Sequence, residues 1–332
     1  MLPTMFRSHQ ALQSNLNFLA RLTATGRIRT RIMQLNFGHS TATLTFWRKL
    51  VRRALARGTP TPFYLCSSEP IREALAELEG LDCGLPIRQW LSCKSQPVAH
   101  LLRWWLKQDR PIEVVSEFEF LAGLREGFKP EQILINGPAK HRWLTRYKCH
   151  GLHVNFDSHR ELEALLPLAL RLNWSLGIRC NTREDHDPDK PDQPTQFGFP
   201  FVEAVSVLGE LRRNKARIET VHFHMRSNIE SHKAYETAIE EVAEICRKAA
   251  LNPLHLDIGG GLPQRHVLTP HGRDYAAHFN LSALATVLRR HVKQFPLLRE
   301  VWFENGRFLC ARSGVLVLKI FGKIWGILIS RD

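Results

Sequence analysis

No aspartate or glutamate occurs in the first 58 residues, although ten arginines and lysines do. No C-x-x-C pair occurs anywhere. No uninterrupted apolar run reaches the ~18 residues of a membrane-spanning helix. The nearest approach, from Val315 to Ile329, is broken by Lys319 and Lys323. Each absence excludes something. Without long apolar runs the chain is not a multi-span membrane protein. Its seven cysteines (Cys66, Cys83, Cys93, Cys149, Cys180, Cys246 and Cys310) are odd in number and scattered. That excludes a disulfide scaffold and a zinc knuckle, and points to a reducing compartment. The first 20 residues hold no compact apolar core followed by a cleavage site, which excludes a secretory signal. No internal repeat is visible.

The acid-free leader also locates the charge. The chain carries a net +14, but the 274 residues after the leader hold 36 basic and 32 acidic side chains. The excess therefore belongs to the leader, not to a binding face, and neither nucleic acid nor membrane is an expected partner. An Arg-, Ser- and Thr-rich leader without acids has the composition of an organelle transit peptide. A disordered basic arm and an upstream start codon, with Met33 as a second start, are the other readings. The cytoplasm is the expected location, with organelle targeting through the leader as the alternative. A hydrophobic fraction of 44% and a charged fraction of 23% are ordinary for a folded soluble chain. The length of 332 residues allows one large domain with extras, or two domains.

From Thr59 onward short apolar runs alternate with amphipathic helices. A leading strand, "PFYLCS", and a helix, "EPIREALAELEGL", come first. Five strands then end at Lys94, Ser116, Gly137, Asp157 and Arg179, separated by 22, 21, 20 and 22 residues. Three more end near His224, in Gly259–Gly261 and near Glu304. Regular β–helix alternation means parallel strands joined by crossover helices. Eight strands with seven intervening helices fit an α/β fold of the (β/α)8 TIM-barrel type. A doubly wound open sheet is the alternative. Residues 183–196, acidic and Pro-rich, read as an exposed loop after the fifth strand.

The polar residues of these strands are not scattered. Lys94, Glu113, Asp157, Arg179, His224, Asp257 and Glu304 lie in or just after the carboxyl halves of their strands. In a barrel that end carries the active site. "LDIGGGLP" places Gly259, Gly260 and Gly261 after the seventh strand, where backbone N–H groups without Cβ atoms can wrap an anion. Glu304 could hold a protonated ring nitrogen, or form an ion pair with Arg307. Lys94 among apolar neighbours can form a Schiff base. His224 offers an aromatic face. Together these groups meet the needs of a pyridoxal phosphate site.

With these segments in place, the chain resembles the fold-type III pyridoxal phosphate decarboxylases that act on ornithine, arginine, lysine or diaminopimelate. The matching segments, in family order, are "TPFYLCS", "SCKSQP", "EVVSEFEF", "ILINGPAK", "VNFDSHREL", "HFHMRSN", "LDIGGGLP" and "ENGRFLCARSGVLV", covering residues ~60–318. The resemblance implies that Lys94 carries pyridoxal 5'-phosphate as a Schiff base. It implies that Gly259, Gly260 and Gly261 hold its phosphate, with Ser227, Gly306 and Arg307 beside them. His224 would stack on the ring, Glu304 would keep the ring nitrogen protonated, and Arg179 would support that network. Glu113 falls where the family has an aspartate beside the imine. The implied catalytic residues are Lys94, His224 and Glu304. The implied activity is decarboxylation of a basic or diamino amino acid by a homodimer.

Departures accompany the match. Met225 and Arg226 follow His224 where H-x-G-S is common, Asn305 replaces a proline, and Gln196 replaces a lysine. Family members continue into a β domain of roughly a hundred residues. On that comparison residues 309–332 read as the remnant of a shortened β domain, "GVLVLKI" as an apolar strand without its sheet, 59–308 as the barrel with its leading strand and helix, and 1–58 as a disordered leader. Weak activity and a doubtful dimer follow from the shortening. Two other functions remain open. One is a barrel that binds cofactor or a partner without turnover. The other is a metal-dependent hydrolase using His222 and His224, with His255 and Asp257 as further ligands.

Overall fold

Short runs rich in isoleucine and valine become strands here because both of their faces are covered. In a computed structural model, residues 41–187, 190–264, 274, 276–324 and 327–330 are described. They divide into two compact units: Cys66–Gly314, and the described residues up to Leu65 together with those from Val315 onward.

In chain order, α1 (Thr41–Ala56) and β1 (Phe63–Cys66) precede α2 (Glu69–Glu79). Next come β2 (Ile87–Gln89) and β3 (Leu91–Ser92), α3 (Ala99–Leu106), β4 (Ile112–Val114), α4 (Glu117–Glu126), β5 (Ile133–Ile135) and α5 (His141–Leu144). β6 (His153–Phe156), α6 (His159–Arg171), β7 (Ser175–Arg179), β8 (His186–Asp187), β9 (Lys190–Pro194), α7 (Phe201–Arg213) and β10 (Ile218–His222) follow. The rest is α8 (His232–Ala249), β11 (His255–Asp257), α9 (Leu281–His291), β12 (Glu300–Phe303), α10 (Arg307–Cys310), β13 (Gly314–Val317), β14 (Ile320–Ile324) and β15 (Ile327–Ser330).

The parallel sheet closes on itself. β2 and β3 are one strand interrupted at Trp90: the first piece pairs with β12 (Val301 opposite Ile87), the second with β4 (Leu91 opposite Ile112). Closure between first and last strands makes this the eight-stranded barrel and removes the open-sheet alternative. Local chemistry sets the helix ends. Ser116 Oγ accepts the Glu119 N–H at 3.3 Å to start α4, and Gly127 at φ 96° stops it.

Strand alternation sorts the barrel's two faces. Ile112, Val114, Ile133, Ile135, Val154, Phe156, Leu256, Ile258, Val301 and Phe303 face outward into the main hydrophobic core with the helices. The intervening residues meet across the interior. At the amino-terminal end Trp90, His153, His255 and Trp302 form an aromatic floor, with His255 stacked on Trp302 at 4.2 Å. Desolvation inside that floor pulls the His153 imidazole down to about 4, with His255 and Arg88 adding to the effect. The carboxyl-terminal end is polar.

Four expectations change. "GVLVLKI" does not lack a partner: β13 pairs with β1, and β14 pairs with β15 in antiparallel register. The loop after β7 is not unpatterned, because β8 and β9 form an antiparallel pair within it. The helix predicted over "HRWLTRYKC" is only the four residues of α5. Of the leader expected to be disordered, 41–56 forms α1, with Trp47 buried; residues 1–40 lie outside the described set.

Candidate active site

Six of the seven strand-end groups sit on or directly after barrel strands at the carboxyl-terminal rim, and Lys94 follows β3 on a single 3-10 turn, Cys93–Ser95. The Lys94 side chain is half-exposed and its Nζ stands 3.9 Å from Glu113 Oε1. Glu113 is buried and accepts hydrogen bonds from Ser92 Oγ at 2.5 Å and Asn136 Nδ2 at 3.3 Å. Burial pushes its carboxyl above the ordinary range; Lys94 draws it back and Glu304 pushes it further up.

Glu304 is the hub. Asn136 Nδ2 donates to its Oε1, and His224 Nδ1 lies 3.0 Å from its Oε2. His222 Nε2 lies 3.6 Å from the same oxygen, too far for a good hydrogen bond. Asp257 is also within hydrogen-bonding reach of Glu304. Burial alone would raise Glu304, but His222 and His224 outweigh it and hold the carboxyl well below its usual range. Asp257 goes the other way: burial, and then the Glu304 charge, push it well above the carboxylate range. Two carboxyls sharing one buried space thus part in opposite directions, Asp257 toward its protonated form and Glu304 toward its ionised form. Burial lowers both histidines while Glu304 draws them back up, and His224 donates from Nδ1 to the Glu304 carboxylate.

Arg179, at the end of β7, donates from Nη2 to the His224 carbonyl at 3.2 Å. It lies 3.8 Å from Asp157 and 3.6 Å from Asp185, with its guanidinium over Phe197. Its Nε is buried without a partner.

Gly259, Gly260 and Gly261 run between the ends of β10 and β12. A Cβ at Gly259 would come within 2.7 Å of the Phe223 carbonyl, at Gly260 within 2.7 Å of the Glu304 carbonyl, and at Gly261 within 2.8 Å of the Arg226 carbonyl. The loop is tied on both sides, by Glu304 N–H to the Gly259 carbonyl and Ile229 N–H to the Gly261 carbonyl, both at 2.8 Å. Gly259 N–H is taken by Asp257 Oδ1. Gly260 N–H points at His224 Nδ1 from 3.4 Å, but that nitrogen already donates to Glu304. Gly261 N–H has no acceptor among the described residues. Two backbone donors are thus left for an anion.

Ser227 is exposed on the loop after β10, and Arg307 is exposed as the first residue of α10. Arg307 makes no ion pair among the described residues, so the alternative pairing of Glu304 with Arg307 does not occur. A Cβ at Gly306 would meet Ser95 Cβ at 2.9 Å and Ser92 Cβ at 3.1 Å, so a glycine lets this segment approach the Lys94 turn. The hydrolase reading finds a partial set. Ligand atoms of His222, His224 and Glu304 lie within 4.8 Å of one another. His255 belongs to the aromatic floor, and burial and the Glu304 charge push the Asp257 carboxyl upward.

Sequence reasoning missed Asn136 and Asn155. Asn155 Nδ2 donates to Asn136 Oδ1 at 3.0 Å and to Asp257 Oδ2 at 3.3 Å, linking the two carboxylate clusters across the barrel. No local pattern marked them: Asn136 falls just after β5, and Asn155 shares β6 with His153. Gly177 makes room for Asn155; a Cβ there would fall 1.9 Å from Asn155 Oδ1.

A lysine, an ionised buried carboxylate and a glycine loop with free amides, all at one barrel rim, are the donor set of a pyridoxal phosphate site. Comparison with known proteins agrees. Residues 74–311 match the family model described as pyridoxal-dependent decarboxylase, pyridoxal binding domain, and the chain belongs to that family. A diaminopimelate decarboxylase of Zymomonas mobilis subsp. mobilis is 27% identical over 279 residues, covering 79% of this chain and 64% of that protein. Protein TabA of Pseudomonas amygdali pv. tabaci is 26% identical over 277 residues, 80% of this chain and 63% of TabA. The chain thus spans somewhat under two thirds of these relatives. The crystal structure of diaminopimelate decarboxylase from Helicobacter pylori complexed with L-lysine superposes with a TM-score of 0.69 at 21% identity, covering 84% of this chain and 72% of that one.

Proposed function

We propose that this chain binds pyridoxal phosphate through Lys94 and serves the decarboxylation of a basic or diamino amino acid of the lysine, ornithine, arginine or diaminopimelate type. The observation that carries the reading is the buried Glu304 carboxylate, bonded by Asn136 and His224 inside the barrel, at the same rim as Lys94 and the glycine loop. The names of the relatives support the substrate class. Bound there, the cofactor supplies the electron sink that takes up the pair left when a carboxylate departs as CO₂.

The chain's own residues have separable tasks. Lys94 Nζ would hold the cofactor covalently, with the Glu113 carboxylate beside it to accept or return a proton at that nitrogen. Glu304 would keep a proton on the ring nitrogen, because a fixed carboxylate stabilises a pyridinium charge beside it more strongly in a low-dielectric interior than in water. Gly260 and Gly261 N–H groups, with Ser227 and with Arg307 at the start of α10, would bind the phosphate. His224 would lie against the ring, fixed by its bond to Glu304. Arg179 anchors the His224 backbone.

The same reading includes assembly as a homodimer and a reducing compartment, the cytoplasm. All seven cysteines are free, and no helix among the described residues is long and apolar enough to cross a membrane. The test is borohydride reduction of purified protein with pyridoxal phosphate, followed by peptide mapping and by CO₂ release from the four amino acids. A label on Lys94 that disappears in Lys94→Ala supports the assignment; a label elsewhere overturns it. CO₂ release from none of the four would leave a binding barrel without turnover.

A further inference from the structure

On the outer surface, away from the rim, Glu236 and Glu240 lie one turn apart on α8, and His291 closes α9, which packs against it. We propose that these three side chains form a second site, for a divalent transition metal of the zinc type, clamping α8 to α9. The donor set is right for such an ion: one imidazole nitrogen and two carboxylate oxygens.

The spacing argues for an ion between the groups more than for bonds among them. His291 Nε2 lies 3.5 Å from Glu236 Oε1 and 3.8 Å from Glu240 Oε1, and all three ligand atoms fall within 4.8 Å of one another. A direct charge-assisted hydrogen bond would be ~2.7–2.9 Å. With metal–ligand bonds of ~2.0–2.2 Å, the edge of a coordination tetrahedron is ~3.3–3.6 Å. The observed separations lie close to that edge and need only a small closure.

The electrostatics point the same way. His291 is 4% exposed, so its ring is held in place. Arg290 Nε, which can only donate, lies 3.1 Å from His291 Nε2, so Nε2 is the unprotonated nitrogen and the Gln294 amide, 2.7 Å from Nδ1, turns its oxygen to accept the Nδ1 proton. Its lone pair therefore faces two carboxylates, an arrangement that needs a cation. Arg290 now provides it, because its Nη2 pairs with Glu236 Oε1 while its Nε caps the imidazole. The Arg290 side chain is 60% exposed and can swing into water. It occupies the place of an ion and can give it up. The fourth position would then fall to water, since Glu240 is at the surface.

The experiment is titration of Zn²⁺ into the full chain, freed of metal by a chelator and without a histidine tag. Pyridoxal phosphate is present so that His222, His224 and Glu304 are not competing ligands. The expected result is one site. Glu240→Gln, an exposed change that leaves the fold intact, should weaken it at least ~10-fold, and His291→Ala at least ~100-fold. Arg290→Met, which removes the competing cation, should tighten it. Circular dichroism checks that His291→Ala is folded, and Glu240→Gln carries the test if it is not. Absence of binding in both wild type and Arg290→Met would overturn the proposal. So would binding that survives Glu240→Gln and disappears in His224→Ala.

Discussion

Replacing Gly260 with alanine probes the anion loop with a single methyl group. The added Cβ would sit 2.7 Å from the Glu304 carbonyl oxygen, closer than such atoms approach in folded proteins. Neither side can yield freely, because Glu304 N–H is bonded to the Gly259 carbonyl at 2.8 Å and Tyr235 Oη donates to the Gly260 carbonyl at 2.6 Å. The loop must therefore move away from β12, and overpacking of this kind costs ~1–3 kcal/mol of stability. The same movement re-aims the Gly260 N–H. A hydrogen bond to a charged group is worth ~1.5–3 kcal/mol, so pyridoxal phosphate affinity should fall by about 10- to 150-fold. The assay is titration of cofactor by absorbance into wild type and variant, with urea unfolding and circular dichroism run beside it. A variant that is folded, modestly destabilised and weak in cofactor binding fits the reasoning. A folded variant with wild-type affinity would place the phosphate elsewhere.

Three further outcomes follow. Asp257→Asn should change how stability depends on pH. Asp257 is raised in the folded state, so its stabilising contribution is fully present below the carboxyl's unfolded value and is lost as pH rises through the folded value. The asparagine variant should therefore match wild type only in urea melts at or below about pH 4 and gain on it steadily as pH rises above that; a difference that does not change with pH would refute the upward shift of Asp257. Gly177→Ala, whose Cβ would fall 1.9 Å from Asn155 Oδ1 and 2.9 Å from Thr220 Cβ, should cost ~1–3 kcal/mol in urea melts. Glu304→Gln should keep the borohydride-trapped label on Lys94 while lowering CO₂ release at least ~100-fold, since the ring nitrogen loses its counter-charge; turnover near wild type would remove Glu304 from that role.

The barrel was legible because its strand ends recur every 20–22 residues, and parallel strands buried on both faces read as short unbroken apolar runs. The rim residues were legible because a charged group ending such a run has few other uses. Asn136 and Asn155 were not, because their importance lies in reaching across the interior to Glu304 and Asp257, which depends on barrel stagger and on no local pattern. The pairing of Glu304 was open for a related reason. Arg307 is its neighbour along the chain, but the inward register of β10 brings His222 and His224 to it instead. The β8–β9 pair escaped notice because a Pro- and Asp-rich stretch has little strand propensity. The upward shift of Asp257 could not be read from residue types at all; it follows from two carboxyls sharing one buried space.

The seam at Trp90 has a consequence for how the chain acquires its shape. Ile87–Gln89 finds its partner only in Val301–Phe303, more than 200 positions later. During synthesis at ~5–20 residues per second, the first strand would wait ten seconds or more with one edge open. Until then the emerging sheet can grow by adding successive helix-covered strands, but it stays an open, curling ribbon whose two margins expose unpaired N–H and C=O groups. Glu304 arrives with that last strand, so the central charge of the site is delivered only when the ring closes. Before closure Asp257 lacks the anionic neighbour that raises it most. A chain interrupted at any earlier point would have neither a barrel nor its buried carboxyl pair, and chaperones would have to guard both margins of the sheet for the whole of that interval.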